Sequence, residues 1–169
     1  MMTVAKGITS AYFPVGATLV NAKMAETFES DQSGEGSIWH GYTYSAHPVG
    51  MAAVNACVSE TLRLDLKSNA AVRGTQLYEG LKALQVDFDI IGDVRGGHGL
   101  MAAIELVSDR TTKAPLEMGT IKRVHKATYQ AGTMVRIGGN NLLMSPPLIL
   151  TDSDVGKILT DLRSGLSTI

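Results

Sequence analysis

The stretch Ala5-Lys6-Gly7-Ile8-Thr9-Ser10-Ala11-Tyr12-Phe13-Pro14-Val15-Gly16-Ala17 sets the terms on which the rest of the chain is understood. Thr3-Val4-Ala5 is β-prone and runs straight into Lys6-Gly7, so Lys6 stands where a short strand ends. Turn residues follow, among them Pro14 and Gly16. No other charge falls between residues 1 and 22. Such surroundings are expected to strip water from an ammonium and favour the free amine, a nucleophile able to form a Schiff base with an aldehyde. Taken alone, a strand-end lysine with its ammonium in water is the simpler account.

Outward from this stretch, Asn21 suits the N-cap of a short helix running through Phe28, and residues 30–36 form a polar, glycine-containing loop. A long helix is predicted from near His47, with Pro48 at its first position; its small residues Gly50, Ala52, Ala53 and Ala56 would let it approach a neighbour closely. A second helix covers about residues 69–84, with Leu77, Leu81 and Leu84 on one face. Leu100, Ala102, Ile104 and Leu106 alternate as in a half-buried strand. Ile121, Val124, His125 and Thr128 have helical spacing. Residues 134–137 and 142–144 read as short strands about a Gly138-Gly139-Asn140-Asn141 hairpin turn. In the last helix Thr151 and Asp154 have capping-box spacing, and Val155, Ile158, Leu159, Leu162 and Leu166 make the apolar stripe. Strands and helices are intermixed, which is an α/β pattern. The first strand is too short and too near the start to make a sheet by itself, so further strands are expected upstream.

The 169 residues are 44% hydrophobic and 18% charged, the balance of a globular domain and not of a disordered tail or a membrane protein. The 15 basic and 16 acidic residues are interspersed, which gives no electrostatic reason to expect a nucleic-acid or membrane-surface partner. Residues 1–7 lack the basic and apolar regions of a secretory signal, and no apolar run reaches membrane-spanning length. The single cysteine, Cys57, rules out a disulfide framework and a thiolate cluster; in its apolar run it reads as a small buried hydrophobe. A reducing cytoplasm fits these features.

Gly96-Gly97-His98-Gly99 precedes a strand instead of opening a helix, so it lacks the context of a dinucleotide fingerprint and reads as a turn needing glycine backbone angles. His40, His47, His98 and His125 have no paired metal-ligand spacing, so no metal is assigned and buried or capping roles are expected. Lys23, Lys122 and Lys126 read as solvated.

Two further segments matter for the chemistry. One is Trp39-His40-Gly41-Tyr42-Thr43-Tyr44-Ser45-Ala46-His47-Pro48-Val49-Gly50; the other runs from Asn140 to Ser145-Pro146-Pro147-Leu148. With the Lys6 stretch and with Val94-Arg95-Gly96-Gly97-His98-Gly99-Leu100-Met101 followed by Ile104-Glu105-Leu106, they make four blocks in one order. Together the four resemble the class III aminotransferases, in the branch that acts on ω-amino acids and amines with pyruvate. Ala46 stands where that family usually has glycine, and Ala11 where glycine is common.

The resemblance implies the fold type I architecture of pyridoxal-phosphate-dependent transferases, of which this chain would be the C-terminal part. Residues 1–62 would be the end of the large cofactor-binding domain, with the cofactor lysine and the interdomain helix. Residues 63–169 would be the small C-terminal α/β domain. Lys6 would bind pyridoxal 5'-phosphate as a Schiff base and move the proton. Thr43 would contact the cofactor phosphate from the neighbouring subunit of a homodimer or higher homo-oligomer, with the Tyr42 backbone N–H as a further candidate. Arg136 would hold the substrate carboxylate, and Arg95 would be structural. The implied reaction carries an amino group from an amine or ω-amino acid to a keto acid such as pyruvate. A decarboxylase or aminomutase on the same scaffold, or a non-catalytic assembly module, are the competing readings. The family's pyridine-nitrogen carboxylate, ring-stacking aromatic and glycine-containing phosphate loop precede the lysine, so this chain by itself is expected to be inactive.

Overall fold

The structure, a computed structural model, describes residues 1–38 and 40–169, so Trp39 of the second block lies outside the described residues. The chain divides into two compact units, Met1–Leu64 and Asp65–Ile169. None of the described helices is long and apolar enough to cross a membrane.

In the first unit, β1 (Met2–Ala5) pairs antiparallel with β2 (Gly16–Leu19), in a register from Met2 opposite Leu19 to Ala5 opposite Gly16. Pro14 and Gly16 were expected only as turn residues; Gly16 in fact opens the partner strand. The block around Lys6 is therefore the connection of a hairpin. Helix α1 (Ala22–Glu29) is capped by Asn21, whose side chain accepts from Met24 N at 3.0 Å. Helix α2 (Pro48–Arg63) starts with Pro48 at its first turn, capped by the His47 Nδ1 acceptor. Gly50 faces Phe13 and Val15, and a Cβ there would sit 3.1 Å from the Phe13 ring. Gly50 and Thr9 are the buried residues among those described in this unit, and no large apolar side chain is buried in it.

The second unit holds the core. β3 (Ile91–Gly97), β4 (Gly99–Asp109), β6 (Arg136–Gly138) and β7 (Asn141–Met144) form an antiparallel sheet in the order β3-β4-β7-β6, with β5 (Ala114–Pro115) paired to β4. Helices α3 (Leu66–Asp87), α4 (Met118–Ala131) and α5 (Asp152–Leu166) pack with it. Most of the predicted stripe residues are buried, namely Leu77, Leu81 and Leu84 on α3, Ile121, Val124 and Thr128 on α4, and Val155, Leu162 and Leu166 on α5, while His125, Ile158 and Leu159 are half-buried. The Thr151–Asp154 capping box forms in both directions. β4 departs from simple alternation, since Ala103 and Val107 are buried beside Ile104 and Leu106. The glycine turn reverses the chain around His98, with Gly97 and Gly99 paired and at φ of 85° and 79°. Asp161 fastens the turn after α4 to α5. Burial pushes its carboxyl up, yet hydrogen bonds from Lys157 Nζ (2.7 Å) and Thr133 Oγ1 (2.7 Å) hold it below the ordinary value.

Gly74 sets how closely α3 can lie on the sheet, because a Cβ there would fall 2.2 Å from Gly99 O and 2.6 Å from its carbonyl carbon. Gly156 on α5 would meet nothing within 4 Å. We expect Gly74→Ala to cost the second unit roughly 1–3 kcal/mol through overpacking against backbone, and Gly156→Ala to add about 0.5–1 kcal/mol through helix propensity. Urea unfolding of the two variants checks both signs; a neutral Gly74→Ala would show that the close approach does not govern the packing.

Candidate active site

Lys6 opens a single turn of 3-10 helix, Lys6–Ile8, directly after β1, and has φ +54°. A non-glycine residue there is strained by steric crowding of its Cβ. Ser10 and Ala11 share the left-handed region at φ 47° and 64°. The loop is closed by polar contacts: Thr9 N and Ser10 N donate to Lys6 O and Gly7 O at 3.2 and 3.3 Å, and Tyr12 N donates to Thr9 O at 3.0 Å. Thr9 Oγ1 donates to Phe13 O at 2.7 Å.

The Lys6 side chain is exposed, contrary to the desolvation its uncharged flanks suggested. A stretch without charges removes water only when packed against something, and neither β1 nor β2 contains a buried residue. Lys6 Nζ has no hydrogen-bond or ion-pair partner among the described residues. It borders a cavity of about 640 Å³ that is also lined by Ala5, Thr9, Phe13 and Pro14.

Cys57 also differs from expectation. It is half-buried, and its Sγ lies 3.1 Å from Ser10 Oγ and 3.4 Å from Gly7 O. It fastens α2 to the lysine loop through polar contacts where a buried hydrophobe was expected.

The second block folds into overlapping turns, with Ser45 N donating to Tyr42 O at 2.9 Å and His47 N to Tyr44 O at 3.2 Å. The Tyr42 N–H donates to Ser45 Oγ at 2.9 Å, so as the turn stands it is engaged and not open to a phosphate oxygen. Thr43 is exposed, and its hydroxyl has no partner among the described residues. His47 stacks on Phe13 with ring centroids 5.4 Å apart, joining this block to the lysine loop. Tyr42 lines a second cavity of about 690 Å³ with His40, Tyr44 and Pro14; neither Lys6 nor Thr43 lines it. Thr43 lines neither of these two cavities. His47 caps α2 and His125 Nε2 lies 2.9 Å from Val135 O, whereas His40 and His98 are exposed and cap nothing. Among the described residues, no three His, Cys, Asp or Glu side chains gather to hold a metal.

Arg136 is the first residue of β6, in the second unit. The strand registers place Arg95, Ala103, Leu143 and Arg136 in one row across β3, β4, β7 and β6. Both arginines line a cavity of about 860 Å³ whose other walls include Met101, Met134 and Leu143. Arg95 is engaged by Asp93 at 3.0 Å and by Asn141 Oδ1. Arg136 is exposed and has no carboxylate partner among the described residues.

The donor set suits pyridoxal phosphate. An unpartnered primary amine beside an open cavity is what an aldehyde requires, and an unpartnered hydroxyl and a free guanidinium fork suit a phosphate and a carboxylate. Sequence reasoning missed the role of Thr9 and the Phe13–His47 stack. The signal available for Thr9 was its position three residues after the lysine, where a hydroxyl can reach back to a turn carbonyl.

Comparison with known proteins agrees with this chemistry. The sequence profile of the family described as aminotransferase class-III matches residues 1–166. An uncharacterised aminotransferase of Sinorhizobium fredii is 41% identical over 165 residues, covering 94% of this chain and 35% of its own length. The taurine–pyruvate aminotransferase of Bilophila wadsworthia is 33% identical over all of this chain and 39% of its own length. Among solved structures, a PLP-bound amine transaminase from an uncultivated Pseudomonas species superposes with a TM-score of 0.91 at 41% identity, over 98% of this chain and 38% of that one. The chain therefore spans well under half the length of the proteins it matches.

The two alanines that replace family glycines, Ala11 and Ala46, both have positive φ, 64° and 55°. Backbone conformation, not side-chain size, distinguishes them from glycine there. We expect Ala46→Gly to stabilise the first unit by roughly 0.5–1 kcal/mol, the relief of left-handed strain less the entropy of glycine; urea titration read from α2 amide signals checks this. A second expectation concerns Asp31, whose carboxyl is held down at about 2, against an ordinary 3.8, by hydrogen bonds from the Ser33 hydroxyl and the Gly36 and Ser33 backbone N–H groups. Because the folded value is the lower one, the turn keeps this stabilisation above 3.8 and loses it as the pH falls toward about 2. An NMR titration of the Gly36 amide should have its midpoint near the lower figure.

Proposed function

The chain belongs to the class III aminotransferases, a pyridoxal-phosphate-dependent family, and from that premise we propose that the protein it forms part of moves an amino group from an amine or ω-amino acid to a keto acid such as pyruvate. In this reading residues 1–62 belong to the large cofactor-binding domain and residues 63–169 to the small C-terminal domain. The observation that carries it is Lys6: an unpartnered amine, held on a strained turn, beside an open cavity. Its similarity to a taurine–pyruvate aminotransferase and an amine transaminase supports the choice of donor and acceptor classes.

Pyridoxal phosphate, when bound, supplies an aldehyde for amine exchange and a ring that takes up electrons from the substrate carbon. Lys6 Nζ would be the group that holds the cofactor through its aldehyde, and its free amine would be the base that takes a proton from the amine-bearing carbon and the acid that returns one. The Thr43 hydroxyl, exposed and without a partner among the described residues, would be the donor to the cofactor phosphate of a second copy. A homodimer is therefore part of the reading. Tyr42 contributes its N–H to the same phosphate only if its bond to Ser45 opens. The Arg136 fork pairs with the keto-acid carboxylate, against the apolar wall formed by Met101, Met134 and Leu143. Cytoplasmic residence accompanies this reading, with Cys57 a free thiol.

Two measurements test it. Borohydride reduction after incubation with pyridoxal phosphate should tag Lys6, and Lys6→Ala should abolish the tag; equal tagging of several lysines would remove the assignment. In the complete protein, Arg136→Leu should raise KM for pyruvate on the order of tenfold to a hundredfold, the worth of hydrogen bonds to a charged group. An uncharged aldehyde acceptor should be unaffected.

A further inference from the structure

Thr9 is 1% exposed, the one buried polar side chain among the described residues of the first unit. A hydroxyl withdrawn from water is costly unless it is hydrogen-bonded. Thr9 Oγ1 meets that requirement inside the lysine loop, donating to Phe13 O at 2.7 Å and lying 3.5 Å from Lys6 O. Phe13 O has no other donor among the described residues. Thr9 therefore ties together the two ends of the excursion that begins at Lys6 and ends before β2, its N–H donating to Lys6 O at 3.2 Å and its hydroxyl to Phe13 O.

That excursion contains three left-handed non-glycine residues, Lys6, Ser10 and Ala11. Each is strained and persists only where the surroundings over-determine it. The remaining backbone bonds of the loop, at 3.0 to 3.3 Å, are local turn contacts that neighbouring conformations can also make. Cys57 holds Gly7 and Ser10 from α2, and the Thr9–Phe13 bond is what ties that part of the loop to its far end. If it is removed, Lys6 can relax to negative φ, which swings its Cα–Cβ bond and carries the amine away from its present direction.

We propose that Thr9 is a positioning residue for Lys6: its hydroxyl locks the left-handed turn from which the lysine amine is presented to a carbonyl carbon. The inference rests on Lys6 being the cofactor lysine. The Thr9 hydroxyl is bonded to a backbone carbonyl and not to Nζ, so it acts on the direction of the amine and not on its charge.

The test compares wild type with Thr9→Val, Thr9→Ala and Thr9→Ser in this chain. One readout is the NMR coupling that reports φ at Lys6; the other is the rate of pyridoxal phosphate trapping at Lys6 against pH, fixed with borohydride and located by peptide mass. Thr9→Val should lose the positive-φ coupling and lower the plateau trapping rate on the order of tenfold, with the pH midpoint unmoved. Thr9→Ser should restore both to within about twofold of wild type, since it keeps the donor. An unchanged coupling and rate in Thr9→Val would overturn the proposal, as would a shifted midpoint with an unchanged plateau. Should Thr9→Val lose the amide signals of α2, Thr9→Ala is read in its place. Loss of α2 in both would make Thr9 a residue of the unit's fold at large and overturn the positioning role. Wild-type label on other lysines and not on Lys6 would instead sink the cofactor-lysine reading, and this inference with it. That result is distinct from a normal wild-type label with no effect of Thr9→Val.

Discussion

Where the backbone of α3 rests on the carbonyl of Gly99, a single hydrogen at Gly74 stands in place of a methyl group that would lie 2.2 Å from that oxygen. Most of what the second unit buries depends on this approach. With α3 so near β4, Leu77, Leu81 and Leu84 reach the sheet face that Val94, Ile104 and Leu142 present, and α5 closes over the same core through Val155, Leu162 and Leu166. The fully buried side chains are large aliphatics, each stabilising by roughly 1.5–3 kcal/mol. The sheet is consequently a firm base, and Arg95 and Arg136 stand on it at fixed strand positions.

The first unit is held together differently. With no large apolar side chain buried, it owes its geometry to hydrogen bonds and ring contacts: the hairpin ladder, the Thr9 hydroxyl, the Cys57–Ser10 pair and the Phe13–His47 stack. Four of its residues, Lys6, Ser10, Ala11 and Ala46, occupy left-handed backbone. Three of the four lie in the lysine loop, where polar groups hold the strained backbone in place.

What the sequence revealed and what it concealed follow the same division. The stripe on α5, its capping box and the hairpin at Gly139 were legible because burial and turn chemistry write periodic or dipeptide signals. β3 was not, since Gly92, Asp93, Arg95 and Gly96 interrupt its apolar residues; only its pairing with β4 makes it a strand. β2 was hidden for a related reason: all four of its residues are exposed, so no alternation marks it. Lys6, Thr43 and Arg136 could be singled out through the four blocks, yet their surroundings could not. Exposure of Lys6, engagement of the Tyr42 N–H and the left-handed angles at Ala11 and Ala46 are properties of three-dimensional neighbours.

The pair Arg95 and Arg136 shows two arginines of one sheet face in opposite states, one engaged and one without a carboxylate partner among the described residues. Both are exposed and stand in the same cross-strand row. Arg95, however, has its charge met by Asp93 and its fork by Asn141. A surface ion pair of this kind is worth little on its own, about 0–1 kcal/mol, but it fixes the direction of the side chain and leaves few donors for a ligand. Arg136 has all its donors available beside a wall of methionine and leucine. An unpaired surface guanidinium contributes next to nothing to folding, so a change there can alter what binds without altering what folds. The charge at position 136 can therefore be changed without the sheet beneath it having to respond.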